Sequence, residues 1–130
     1  MLSVNGITLS LYSAGPVQGP VVWLLHGFPE SWYSWRHQMQ ALADVGYRVT
    51  VPEMRGYGQS SAPDDVASYD LLTVCGDIQA AMDLLEQRSV AVVGHDSHWL
   101  KSEKPDEVNR LLLDFFARRY SPVDFEVARR

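Results

Sequence analysis

Five consecutive apolar residues, Val21-Val22-Trp23-Leu24-Leu25, follow a turn rich in glycine and proline. A strand of this composition has no polar face to offer water, so it must be covered on both sides, as in the middle of a parallel sheet. The rest of the chain has to supply that cover.

Upstream, Ile7 to Tyr12 alternates apolar and polar side chains, with Ile7, Leu9 and Leu11 on one face of a half-buried strand. The Asn5-Gly6 pair before it is a strong hairpin signal, so a short first strand is expected to end there. From Ser31 the period becomes helical, with Trp32, Trp35, Met39 and Leu42 on one face and Gly46 as the stop. Tyr47 to Val51 reads as a strand, and a glycine-rich loop follows it. A helix from about Tyr69 to Gln87 is expected to turn Leu71, Val74, Ile78, Met82 and Leu85 inward, and Ser89 to Val93 is the fifth strand. The lone Cys75, between Val74 and Ile78, reads as a core thiol. Strands and helices alternating at this spacing predict right-handed βαβ units: an α/β fold with a mostly parallel sheet of about five strands, led by an antiparallel pair and flanked by helices.

Size and composition allow such a domain. With 130 residues, folding removes roughly two thirds of the unfolded surface from water. A net charge of −5 argues against a nucleic-acid partner, which would need a clustered basic surface. Lys101, Lys104, Arg110, Arg118 and Arg119 are interleaved with Glu103, Asp106, Glu107 and Asp114, as on a solvated helix face. No stretch approaches a membrane span, and the first residues lack the pattern of a signal peptide, so a cytoplasmic protein is expected.

Open α/β sheets place their sites at the C-terminal ends of their strands. Residues 26–39 read HGFPESWYSWRHQM, residues 52–63 PEMRGYGQSSAP and residues 92–96 VVGHD, each after one of three successive strands. Over residues 1–96 the chain resembles the α/β-hydrolases of the epoxide-hydrolase branch. The HGFPE and SWYSWRHQ runs carry the resemblance, since HGxP alone occurs across the superfamily. It implies a nucleophile elbow at Asp96 and an oxyanion hole built from the backbone N–H groups of Phe28 and Ser97. It also implies a site loop of His26, Gly27 and Pro29, with a cis peptide before Pro29. A small-molecule epoxide or related substrate follows, with no metal or other cofactor. The carboxylate would attack an epoxide carbon and a His-activated water would hydrolyse the resulting ester.

Plainer roles stand beside these. His26-Gly27 reads as structural, the glycine allowing a tight turn and the imidazole bonding backbone. Gly56 and Gly58 read as turn glycines, and His37 as a surface helix residue. Glu53 stands where the family usually has Asp.

Residues 97–116, SHWLKSEKPDEVNRLLLDFF, resemble the family's C-terminus, where a His-Trp pair precedes a Lys-Pro-anchored last helix. His98 then maps onto the catalytic base, and Ser97 belongs to neither side of the join. Pro105 suits a first helical turn, and Val108, Leu111, Leu112 and Phe115 are expected to form the apolar stripe. The chain is thus expected to comprise an N-terminal part of the hydrolase core (1–96), a His-bearing segment with the final helix (97–120) and a tail (121–130). By this resemblance the cap, its two epoxide-binding tyrosines and the triad acid have no matching positions. Tyr33, Tyr57 and Tyr69 belong to other elements. Two readings remain open: an impaired, truncated epoxide-hydrolase-like enzyme, or a non-catalytic remnant or interaction module. In either, the fifth strand is expected to leave an exposed sheet edge for self-association.

Overall fold

The computed structural model describes residues 1–94 and 104–120. Five strands, β1 (Leu2–Val4), β2 (Ile7–Ala14), β3 (Val21–Leu25), β4 (Arg48–Glu53) and β5 (Val90–Gly94), form one sheet in the order β1-β2-β4-β3-β5. β4, β3 and β5 run parallel, and the β1–β2 hairpin joins antiparallel on the β4 side. Asn5 and Gly6, both at positive φ, close the two-residue turn between Val4 and Ile7. This is the mostly parallel five-strand sheet, led by an antiparallel pair, that the alternation of strands and helices predicted.

The run that demanded double cover receives it. Val22 and Leu24 point to one face, where they meet Trp35, Met39 and Leu42 of the first helical segment, Tyr47, Val49, Val51 and Phe116. Trp23 points to the other, against Leu9, Ile78, Ala81 and Met82. The first segment opens as a 3-10 turn, Trp32–Trp35, before α1 (Arg36–Asp44). Ser31 accepts from the Tyr33 N–H to start it. Its end is a Schellman closure: the Gly46 N–H bonds Ala43 O at 3.1 Å and the Tyr47 N–H bonds Leu42 O at 3.1 Å. Tyr47 therefore lies before the strand, which runs from Arg48 through Pro52 to Glu53.

Helix α2 (Leu71–Leu84) is shorter than its sequence pattern suggested, because Val66–Tyr69 forms a separate 3-10 turn and Asp70 caps the helix by accepting from the Thr73 N–H at 3.0 Å. Its inward stripe begins one turn late. Leu71 is 77% exposed, since it precedes the part of the helix that lies over the sheet, and Cys75 is exposed rather than core. The buried positions are Asp77, Ile78, Ala81 and Met82.

Helix α3 (Pro105–Arg119) packs against α1 on the Val22 face of the sheet. Here too the stripe is displaced from expectation: Leu111 and Phe115 are exposed, while Leu112, Leu113 and Phe116 face the core. The choice follows from Phe116, whose burial is worth about 1.5–3 kcal/mol and whose ring packs tilted against Tyr47, centroids 5.5 Å apart. Tyr120 then reaches across to donate its hydroxyl to Ser89 O at 3.1 Å.

The crossovers have a consequence for the β5 side. The β3-α1-β4 connection steps one way along the sheet with its helix on one face, and β4-α2-β5 steps the other way with its helix on the opposite face, so both share the usual right hand. A right-handed step from β5 to a further strand would need its helix on the α2 face. Helix α3 lies on the other.

Candidate active site

Three strand ends converge. Leu25 and Gly94 are register partners, so the chain leaves β3 and β5 at the same level on neighbouring strands, with the end of β4 on the other side of β3. The segment after β3 turns at once, the Glu30 N–H bonding Gly27 O at 3.0 Å, and the Phe28–Pro29 peptide is cis, as the resemblance implied. Among the described residues nothing accepts a hydrogen bond from the Phe28 N–H, and the Phe28 side chain is 72% exposed. Glu30 is buried and accepts from the Ser34 hydroxyl at 3.0 Å, which ties the turn to the helical segment behind it. Trp32 stacks on Tyr12, ring centroids 4.1 Å apart, and fixes that segment against β2.

His26 holds the loops together. Its buried ring accepts the Met54 N–H at Nε2, 3.0 Å, which leaves the proton of the neutral ring on Nδ1 to donate to Gly27 O at 3.1 Å. The edge of the same ring meets Tyr57 at 4.8 Å. One imidazole thus couples the loop after β3 to the loop after β4, the backbone-bonding role read for it from sequence.

The loop after β4 is stitched back to β2. Thr8 and Ser61 exchange two bonds of 2.9 Å, Ser60 Oγ accepts from the Ser10 N–H at 2.9 Å and donates to Glu53 O at 2.5 Å, and the Gly56 N–H bonds Ser61 O. Glu53 points its carboxylate into the loop, where Oε2 accepts the Gln59 N–H at 2.7 Å. Beneath lies an ion pair that the sequence reading missed. The Arg55 guanidinium donates twice to Asp77, 2.7 Å from Nε and 2.8 Å from Nη2, and once to Ser68 O. Asn5 donates to the same carboxylate at 3.2 Å. The Asp77 hydrogen bonds raise the Arg55 pKa against the opposing effect of burial. The available signal was an acid inside an apolar helical stripe, between Val74 and Ala81 and beside Ile78. A carboxylate in that position needs a buried partner. Burial also pushes the Tyr57 hydroxyl up from its ordinary pKa.

The structure therefore brings together His26, Gly27, Phe28 and Pro29 at the ends of β3 and β5. Asp96, Ser97 and His98 lie outside the described residues.

Residues 20–97 match the family described as alpha/beta hydrolase fold, and the chain belongs to that family. Within it the chain is epoxide hydrolase-like. It is 50% identical over 95 residues to epoxide hydrolase 3 of Siraitia grosvenorii, covering 73% of this chain and 29% of that protein. Epoxide hydrolase A of Mycobacterium tuberculosis is 45% identical over 96 residues, 74% of this chain and 30% of that one. The crystal structure of epoxide hydrolase VrEH1 from Vigna radiata superposes with a TM-score of 0.70 at 48% identity, covering 73% of this chain and 30% of that chain. The chain spans well under half the length of these relatives.

Proposed function

We propose that the chain is an impaired epoxide-hydrolase-like α/β-hydrolase of the cytoplasm, acting on a small epoxide through an alkyl ester on Asp96. The domain reading goes with it: hydrolase core to residue 96, a His-bearing segment to 120, then a tail. The observation that carries the proposal is the loop after β3. It has a cis Phe28–Pro29 peptide, a Phe28 N–H without a partner among the described residues, and a His26 ring that locks it to the loop after β4. That loop stands beside Gly94, two residues before Asp96 in the chain.

In the proposed reaction an Asp96 carboxylate oxygen attacks an epoxide carbon, the ring C–O bond breaks, and the freed alkoxide takes a proton from solvent. The Phe28 and Ser97 N–H groups are assigned to the second step, in which water deprotonated by His98 attacks the ester carbonyl and the vicinal diol leaves. Impairment follows from the sequence. Asp96 and His98 are two residues apart, so in an extended segment their Cα atoms would be roughly 6–7 Å apart with both side chains on one side. A pair so placed would bind itself and leave little room for water. General acid–base help is worth about 10²–10⁴ in rate, and no triad acid or epoxide-binding tyrosine is identified.

The test is incubation with a reactive aryl epoxide, followed by mass spectrometry of the protein and assay of the diol. An ester on Asp96, lost in Asp96→Ala, with at most trace diol is the expected result. Sustained turnover abolished by Asp96→Ala and by His98→Ala would overturn the impairment. Absence of both ester and diol would favour the second reading, a non-catalytic interaction module, for which the open β5 edge speaks.

A further inference from the structure

We propose that two copies of this chain pair through β5, edge to edge and antiparallel about Val92, with the outer flanks of their α3 helices meeting over the seam. The inference is independent of any catalytic reading. Among the described residues β5 pairs with β3 alone, so its outer side presents the alternating N–H and C=O groups of Val90 to Gly94. Free edges are normally blunted by a charge, a proline or a bulge. The sequence Val-Ala-Val-Val-Gly carries neither a charge nor a proline. Val92, its central residue, is 50% exposed on the α2 face beside Trp23.

Helix α3 extends this surface on the other face. Asn109 and Leu113 mark the side of the helix turned towards α1, since Asn109 bonds both Gln38 and His37 O. At 100° per residue, Leu111 and Phe115 fall on the opposite flank, away from α1 and towards the β5 edge. Both are exposed, and Asp114, Arg118 and Arg119 share this side of the helix with them. Asp114 lies 3.9 Å from Arg110, a weak exposed pair.

A second copy is the occupant these features fit. A two-fold axis through an antiparallel β5 pair places Val92 opposite Val92 and the two α3 flanks side by side, apolar against apolar, with Asp114 of each copy facing the arginines of the other. A five-residue strand pair is small against the roughly 1,200 Å² that stable interfaces bury, so the helix flanks must contribute. The chain's own α3 lies on the wrong face to lead a right-handed connection to a sixth parallel strand.

Sedimentation of the full chain across the micromolar range should show a monomer–dimer equilibrium. Val92→Lys should raise the dimer Kd at least tenfold while the far-ultraviolet circular dichroism stays unchanged. A second variant guards against misfolding. Residues directly opposite in an antiparallel pair have Cα atoms about 4.5–5.5 Å apart, within disulfide reach. Val92→Cys in a Cys75→Ser background should therefore oxidise to a covalent dimer, whereas Leu72→Cys, 84% exposed on α2, should not. A monomer at all concentrations, assemblies larger than a dimer, or a dimer indifferent to Val92→Lys and not linked by Val92→Cys would each overturn the proposal.

Discussion

Gln38 and Asn109, 71 residues apart in sequence, meet at 2.9 Å, the side-chain amide of one donating to the side-chain carbonyl of the other across the α1–α3 interface. Each occupies a position inside the apolar stripe of its helix: Gln38 beside Met39 and Asn109 beside Val108 and Leu112. Gln38 is fully buried. The pair favours one register in which α3 docks, because sliding by one turn would separate the two amides. Asn109→Leu leaves the Gln38 amide without this partner and should cost about 1–3 kcal/mol, whereas Gln38→Leu with Asn109→Leu should recover most of that loss. Urea denaturation of the three variants checks this. Equal losses in the single and double variants would show that the pair does not set the interface.

Helix α2 ends on a residue ill-suited to its conformation. Glu86 adopts φ 55°, and the N–H groups of Glu86 and Gln87 bond Asp83 O at 3.0 Å and Met82 O at 2.9 Å. This is the closure that glycine usually makes, as Gly46 does after α1. Glu86→Gly removes the Cβ penalty but gains unfolded-chain entropy, so the net expectation is a gain of about 0.5–1 kcal/mol. A thermal midpoint equal to or below that of the parent would contradict it.

The Arg55–Asp77 pair lies almost wholly out of solvent, with side-chain exposures of 5% and 2%. Arg55→Met would leave Asp77 buried with, among the described residues, only the amide of Asn5, at a cost of about 3–5 kcal/mol. Adding Asp77→Leu should return much of the stability, since an apolar pair of similar volume is often neutral or better. Chemical denaturation of the single and double variants separates a charge-pair effect from simple loss of packing.

The alternation of strands and helices was legible because each element carries its own period, and the Val21–Leu25 run could only be a strand covered on two faces. The site loop was legible as a motif: its cis Phe28–Pro29 peptide followed the resemblance, and the backbone role of His26 followed the plainer structural reading of the His26-Gly27 pair. Long-range choices were not legible. Leu111 and Phe115 fit a helical stripe as well as Leu112 and Phe116 do, and only the packing of Phe116 against Tyr47 decides between them. Leu71 and Cys75 fit the period of α2, yet both are exposed, the burial of that helix starting only at Asp77 and Ile78. The partner of Asp77 sits 22 residues upstream in a loop, where no periodicity points to it.

Asp70 opens α2, its carboxylate accepting from the Thr73 hydroxyl and N–H, and these bonds lower its pKa, the hydroxyl bond most of all. A carboxyl depressed in the folded state stabilises it above its unfolded pKa, and that contribution is lost as pH falls through the folded value. Unfolding should therefore become easier from about pH 4 downward, the ordinary aspartate range. Asp70→Asn, which keeps a capping oxygen without a titrating proton, should weaken this acid dependence. An unchanged acid limb in Asp70→Asn would assign it to other carboxyls.

The loop after β4 is shaped by one steric fact with a two-residue solution. Gly58 sits at φ 52°, and a Cβ added there would lie 2.0 Å from the Glu53 carboxylate, far inside van der Waals contact. Glu53 cannot simply swing away, since it is buried and bonded to the Gln59 N–H at 2.7 Å. Gly58→Ala should therefore cost more than the roughly 1–2 kcal/mol of a left-handed backbone alone, because the carboxylate must also be displaced. Shortening the acid by one methylene withdraws it from the clash. Glu53→Asp combined with Gly58→Ala should then recover the steric part and leave the backbone part together with the cost of Glu53→Asp itself. Glu53→Asp alone should cost less than Gly58→Ala, its shorter carboxylate losing contact with Gln59. A double-variant cycle by thermal unfolding measures the coupling. Strict additivity of the two single changes would show that the carboxylate and the glycine are not sharing one space.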